Sequence, residues 1–235
     1  MIPALYLIPM TLGDSAVGHV FPPYNREVIL GIRHFIVEEV RTARRFLKLV
    51  DKSIDINALT FYEMGKHADS RLFATYLAPL RAGEPMGVIS EAGCPAVADP
   101  GAIFVALAQG EGLRVVPLVG PSSILLALMA SGLNGQSFAF NGYLPVDADA
   151  KARTLKHLET RAIREGQTQL FIEAPYRNNG LIKLMLQTLA ASTRLCVAAG
   201  ITCEDESIRT RTVAQWRKAE LPDLNRTPAI FAIGK

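Results

Sequence analysis

A chain of 235 residues, 49% of them hydrophobic, is long enough for one large domain or two of about a hundred residues each, and it can bury a real core. Its formal net charge of +3 falls well short of a dedicated nucleic-acid wrapper, so charge permits an RNA partner without requiring one. Cys94, Cys196 and Cys203 form no C-x-x-C pair and have no histidine at ligand spacing, which argues against a metal site or a disulfide framework. No run approaches the roughly 20 apolar residues of a membrane span, and no basic leader precedes an apolar stretch. The expectation is a cytoplasmic chain with no membrane association and no metal.

In chain order, residues 4–8 read as a first strand, ended by the turn Pro9-Met10-Thr11-Leu12-Gly13-Asp14. The segment carrying Pro22, Pro23 and Asn25 reads as an irregular loop. Residues 34–38 read as a second strand that emerges into Glu38 and Glu39. A helix then begins near Val40, with Ala43, Phe46, Leu47 and Val50 on one stripe and Arg41, Arg44 and Arg45 on the other side. A carboxylate pair at a strand end beside an arginine-rich turn is either a site or a solvated salt-bridge cluster. Residues 56–62 read as a third strand. Asp69 then N-caps a helix with Leu72, Phe73, Tyr76, Leu77 and Leu80 along one face.

The chain is organised around residues 85–101, PMGVISEAGCPAVADPG. Met86 to Ile89 is a buried parallel strand by pattern, and Gly93, Pro95, Pro100 and Gly101 forbid regular structure until Ala102. In open α/β sheets such a loop faces the crevice beyond the carboxyl ends of the strands, where ligands bind. Glu38 and Glu39 are expected to open on the same edge as Glu91. Neither G-x-G-x-x-G nor G-K-[ST] is present, so a Rossmann dinucleotide site and a P-loop both lose their fingerprint.

A helix from Ala102 to the Gly110–Gly112 region, a strand over 114–119, the loop Gly120-Pro121-Ser122-Ser123 and an apolar helix over 124–130 complete a set of βαβ units. The pattern places a domain boundary near 118–122. Residues 1–119 form an N-terminal α/β domain with a mostly parallel sheet, and 120–235 a C-terminal α/β domain with a mixed one. Strands in the second half are expected at Phe138, 169–173, 195–199, 209–213 and 229–233. The polar stretch 147–156 leads into a helix, and Glu173-Ala174-Pro175-Tyr176-Arg177-Asn178 closes a strand with charged and aromatic groups.

The succession LYLIP, VEEVR, ISEAGCPAVADPG, VVPLVGPSSILLALMASGL, FNGYLP and FIEAPYR resembles the tetrapyrrole-methylase superfamily. Within it, the similarity is greatest to the branch that methylates a cytidine 2'-hydroxyl of small-subunit (16S) ribosomal RNA. The resemblance implies two α/β domains with S-adenosylmethionine held in the cleft between them, and a homodimer. It assigns the cofactor to Pro9, to Gly93, Cys94, Pro95 and Val97, to Ser122, Ser123 and Ile124, and to Ile172, Glu173, Ala199, Gly200 and Ala232. The chain departs from the family where Glu91 replaces the usual Asp and Cys94 the usual Thr. It also has Ala199-Gly200-Ile201-Thr202-Cys203 in place of a charged Arg-Glu-Leu-Thr-Lys.

Methyl transfer to a ribose hydroxyl needs a base for its proton, and Glu38, Glu39 and Glu91 are the candidates. Arg41 is placed to hold a phosphate or orient a carboxylate. Arg44, Arg45, Lys151, Arg153, Lys156 and Arg177 are further candidates for phosphates of an RNA partner. Two other readings remain open, a methylase of a small tetrapyrrole-like molecule or a protein side chain, and a non-catalytic S-adenosylmethionine-binding module.

Overall fold

The computed structural model describes residues 1–65 and 68–235. They form two compact units, Met1–Ser122 and Ser123–Lys235.

The first unit is built on strands β1 (Leu5–Ile8), β2 (His34–Val37), β3 (Thr60–Glu63), β4 (Met86–Ile89) and β5 (Val115–Pro117). Their order is β3-β2-β4-β1-β5, with every pairing parallel. A parallel strand covered on both faces has no reason to alternate, and all four residues of β4 are buried. Helices α1 (Val17–Val20), α2 (Pro23–Leu30) and α3 (Val40–Val50) flank one face, where Val28, Ile29, Phe46 and Leu47 pack with Tyr6, Ile8 and Phe35. Helices α4 (Phe73–Tyr76), α5 (Ala78–Arg81) and α6 (Ala102–Gly110) flank the other, with Phe73, Leu77 and Phe104 against Leu5, Ile36 and Val88.

Three expectations for this half need correction. The segment around Pro22, Pro23 and Asn25 is helical: Pro23 takes the first helical position, where a missing N–H costs nothing and a fixed φ helps. Asn25 is buried there and donates from Nδ2 to the Val119 carbonyl at 2.7 Å. The single helix expected after Asp69 is broken into a 3-10 turn, α4 and α5, because Pro79 has no N–H to offer the carbonyl four residues back. Leu72, expected on the buried face, is exposed. Residues Ile56–Ala58 form a 3-10 turn, so β3 starts only at Thr60.

The second unit contains α7 (Ser123–Ser131), β6 (Phe138–Tyr143), α8 (Ala148–Glu165), β7 (Thr168–Ile172), α9 (Asn178–Thr188), β8 (Arg194–Ala199), β9 (Ser207–Thr212), α10 (Val213–Trp216) and β10 (Ala229–Gly234). The sheet order is β6-β7-β10-β8-β9, parallel between β6 and β7 and antiparallel elsewhere. Phe171, Val197 and Phe231 on one face meet Leu155 and Leu158 of α8 and Ile182 and Met185 of α9. Helix α7 lies against β8, β9 and β10, and Thr210 Oγ1 donates to its Ser131 carbonyl at 2.7 Å. The polar stretch 147–156 is itself the first half of α8. Asp147 caps that helix by accepting from the Ala150 amide at 2.8 Å.

Candidate functional site

At the carboxyl edge of the first sheet, β1, β2 and β4 end level, because Ile8 and Val37 both pair with Ile89. The residues that follow are therefore delivered to one edge: Pro9 after β1, Glu38 and Glu39 after β2, and Glu91 and Gly93 after β4. Hydrogen bonds join the loops. Met10 N–H donates to the Gly93 carbonyl at 2.8 Å, and Cys94 Sγ–H donates to the Pro121 carbonyl at 3.3 Å. Burial pushes the Cys94 thiol up, which keeps its donor proton in place. Gly120 lies so close over the buried Pro9 ring that any Cβ there would collide with it. Gly93 has φ +66°, and an added Cβ would meet Leu12 Cδ2 at 3.0 Å and the Pro121 carbonyl oxygen at 3.4 Å.

The loop beyond Gly93 is held in an uncommon shape. Ala96 and Ala98 lie in the left-handed region at φ 66° and 55°, a conformation that persists in non-glycine residues only when the surroundings enforce it. Asp99 is the enforcing group, accepting from Ala96 N–H at 3.0 Å and Gly101 N–H at 2.7 Å. Pro95 is buried beneath the loop, while Val97 presents its side chain to solvent at 49% exposure.

The acids on this edge differ in state. Glu39 caps α3, accepting from Thr42 Oγ1 at 2.8 Å and from the amides of Arg41 at 2.8 Å and Thr42 at 2.6 Å. Those bonds, the Thr42 hydroxyl first, hold its carboxyl below the usual glutamate range. Glu91 moves the other way. Although Glu91 is exposed, partial desolvation by its surroundings raises it; a hydrogen bond with Thr42 opposes the rise, and the nearby charges of Glu39 and Asp99 add to it. Glu38 is half-buried, and Arg41 extends an exposed side chain from the first turn of α3. Thr42 and Asp99, which tie this cluster together, were missed by sequence reasoning; a hydroxyl three residues after a capping acid was the available signal.

In the second unit, Ile172 ends β7 and Glu173 follows with a fully enclosed side chain. Its carboxylate accepts from Lys151 Nζ at 2.5 Å, Arg177 Nε at 2.8 Å, Arg177 Nη2 at 2.5 Å and the Ala174 amide at 2.9 Å. Burial works to raise this carboxyl, but the hydrogen bonds outweigh it and hold Glu173 below the usual range. Backbone atoms are thus what Glu173 has left for a ligand. Lys151, expected among the phosphate contacts, is 8% exposed and serves this ion cluster instead. Lys156 pairs with Glu159, and the Arg44 guanidinium lies over the Phe61 ring.

Ala199 ends β8 and Gly200 follows it, both buried, with Gly200 at φ +60° and its N–H donated to the Pro228 carbonyl at 3.2 Å. Ala232 lies inside β10, flanked by Leu170 and Cys196 on its two neighbours. Ser122 and Ser123 are half-buried at the entrance to α7, and Ile124 is buried within it. A recess of about 500 Å³ opens beside Val197, Ala199, Arg209, Arg211 and Trp216, and of the expected contacts it includes Ala199 alone. Among the described residues no group of three or more His, Cys, Asp or Glu could hold a metal ion, and no helix is long and apolar enough to cross a membrane.

Residues 29–216 match the family of tetrapyrrole (corrin/porphyrin) methylases. The chain is 30% identical over 213 residues to "Ribosomal RNA small subunit methyltransferase I" of Vibrio cholerae, covering 91% of this chain and 70% of that one. It is 31% identical over 211 residues to the protein of the same name from Mesorhizobium japonicum, covering 90% and 68%. The crystal structure of the methyltransferase CobJ superposes with a TM-score of 0.65 at 13% identity, over 99% of this chain and 94% of that one. Uroporphyrin-III-C-methyltransferase from Thermus thermophilus gives 0.56 at 18% identity, over 99% and 92%. At those identities the structural likeness establishes the fold alone.

Two α/β units with these relatives define a methyltransferase whose methyl donor is S-adenosylmethionine. The chain belongs to the tetrapyrrole (corrin/porphyrin) methylase family. The residues of the first edge suit that cofactor. Gly93, Ala96 and Ala98 bring backbone close without bulk, Val97 offers an apolar surface, and the Glu39 carboxylate, held ionised by its hydrogen bonds, puts a negative charge suited to a sulfonium cation on the same edge.

Proposed function

We propose that this protein transfers a methyl group from S-adenosylmethionine to a ribose 2'-hydroxyl of small-subunit ribosomal RNA. The observation that carries the reading is 30–31% identity, over nine-tenths of the chain, to proteins named for small-subunit ribosomal RNA. The cofactor supplies an electrophilic methyl carbon on a positively charged sulfur. The protein must align the acceptor oxygen and take its proton, and alignment alone is worth on the order of 7–11 kcal/mol.

Glu91 is assigned as the proton acceptor, because its raised carboxyl is more basic than an ordinary glutamate at the same edge. Glu39, committed to capping α3, serves as an orienting charge through Thr42. In this reading Glu38 flanks the acceptor and the exposed Arg41 meets an RNA phosphate. The cofactor is assigned to Pro9, the Gly93–Val97 loop, Ser122, Ser123 and Ile124, and to backbone at Ile172, Glu173, Ala199, Gly200 and Ala232. Work in the cytoplasm and assembly as a homodimer belong to the same reading; light scattering at twice the 25.5 kDa of one chain would support the latter.

The corrin and porphyrin methylases of the family description favour a second reading, a small tetrapyrrole acceptor. One experiment separates them. Tritiated S-adenosylmethionine is incubated with the protein and extract from a strain lacking it, fractionated into small-subunit RNA and small molecules. Alkali-stable label in the RNA is expected. Label confined to small molecules overturns the RNA reading.

A further inference from the structure

Two tyrosines of the second unit are spent on solvent. Tyr143 is 64% exposed, and Tyr176, which follows the buried strand β7, is 70% exposed. Their placement is not random. Tyr143 ends β6 opposite Ile172, the last residue of β7, and Tyr176 sits in the 3-10 turn Pro175–Arg177 just past that strand. The β6–β7 register shifts between Phe140 and Tyr143, with Gly142 at φ +63°, and an irregularity of this kind re-aims the side chain that follows.

Arg177 interacts with both tyrosines. Its guanidinium carbon is 5.2 Å from the Tyr176 ring centroid, Nη1 donates to Tyr176 Oη at 3.2 Å, and both tyrosine hydroxyls are within its electrostatic range. The guanidinium is not free to swing, because Nε and Nη2 are bonded to Glu173, itself anchored by Lys151. Two cations on one carboxylate leave one positive charge over, and Arg177 carries it to the surface. Rigid aromatic faces beside a fixed arginine plane are what unpaired bases stack on, and the surplus charge suits the adjoining phosphate.

We infer that Tyr143, Tyr176 and Arg177 form a stacking platform for an unpaired base of the RNA substrate. This rests on the reading that the acceptor is RNA, and the test separates the two. The probe is a single-stranded oligoribonucleotide carrying 2-aminopurine, whose fluorescence drops when the base stacks. Wild type should quench it. Tyr143→Ala and Tyr176→Ala should each weaken its binding roughly five- to hundredfold, as loss of one base–aromatic stack implies. Tyr176→Phe should bind like wild type. The salt slope should not change in the tyrosine variants, whereas Arg177→Ala should lower it by about one unit. Affinity for S-adenosylmethionine and the melting temperature of the tyrosine variants should stay as in wild type.

A doubly substituted Tyr143→Ala, Tyr176→Ala protein that quenches and binds the probe as wild type does would overturn the platform, as would a porphyrin, but no oligoribonucleotide, binding at these rings. Failure of the wild type to label small-subunit RNA would instead remove the reading beneath it.

Discussion

Glu91 and Glu173 each stand just past the end of a buried strand, β4 and β7, and the two units set them in opposite states. Glu173 receives Lys151, Arg177 and an amide, which overcome the cost of burial and keep it charged. Glu91 is exposed at the sheet edge, and partial desolvation first, then the charges of Glu39 and Asp99, raise its carboxyl above the ordinary glutamate value. The same residue type at the same kind of position is held charged where cations and an amide converge on it, and is raised where partial desolvation and neighbouring carboxylates meet it. The neighbours decide, not the residue.

The comparison breaks most visibly at Glu91. Glu91→Gln should lower turnover by roughly 10²–10⁴-fold, the usual contribution of a positioned base, with S-adenosylmethionine affinity unchanged by calorimetry. Unaltered turnover would remove Glu91 from the chemistry. Glu173→Ala leaves Lys151 buried without its counter-charge, which costs about 3–5 kcal/mol and should lower the melting temperature by on the order of ten degrees. A melting point unmoved by that change would show that the ion cluster is not a strut. Adding Lys151→Met to Glu173→Ala should recover part of the loss.

The smallest effect is also the one that contrasts the two acids directly. Glu91, with its folded pKa raised, holds its proton more tightly folded than unfolded. Its contribution to stability therefore falls as pH climbs from the ordinary glutamate value through the raised one. Glu173, with its folded pKa lowered, contributes fully above the ordinary value and loses that contribution as pH drops through the lowered one. Melting curves from about pH 3 to about pH 8, bracketing the glutamate reference, should show Glu91→Gln gaining on wild type toward neutrality. Glu173→Gln should lose most there and least in acid. Parallel curves for the two variants would erase the distinction.

Much of the first edge was legible from residues alone. The unbroken apolar run of β4 announced a covered parallel strand, and the stripe of α3 announced which side it buries. That Glu38, Glu39 and Glu91 open on one edge followed from reading this half as βαβ units with a mostly parallel sheet, and the structure makes β2 and β4 direct neighbours. The fate of Glu173 was not legible, because Lys151 lies 22 residues earlier on a helix whose polar run suggests solvent. Pairing across that distance depends on how α8 lies on β7, which no local pattern carries. Likewise the Pro22-Pro23 pair looks like a breaker until one knows that Pro23 sits at the first position of α2.

The contacts that join Met10 to Gly93, Cys94 to Pro121 and Gly120 to Pro9 bear on how this edge could be re-engineered. Each loop closes on a neighbour rather than on its own strand, so the loops after β1, β4 and β5 constitute one cassette. A graft that imports any one of them from a relative severs bonds to the other two, whereas a graft of all three carries its own fastenings along.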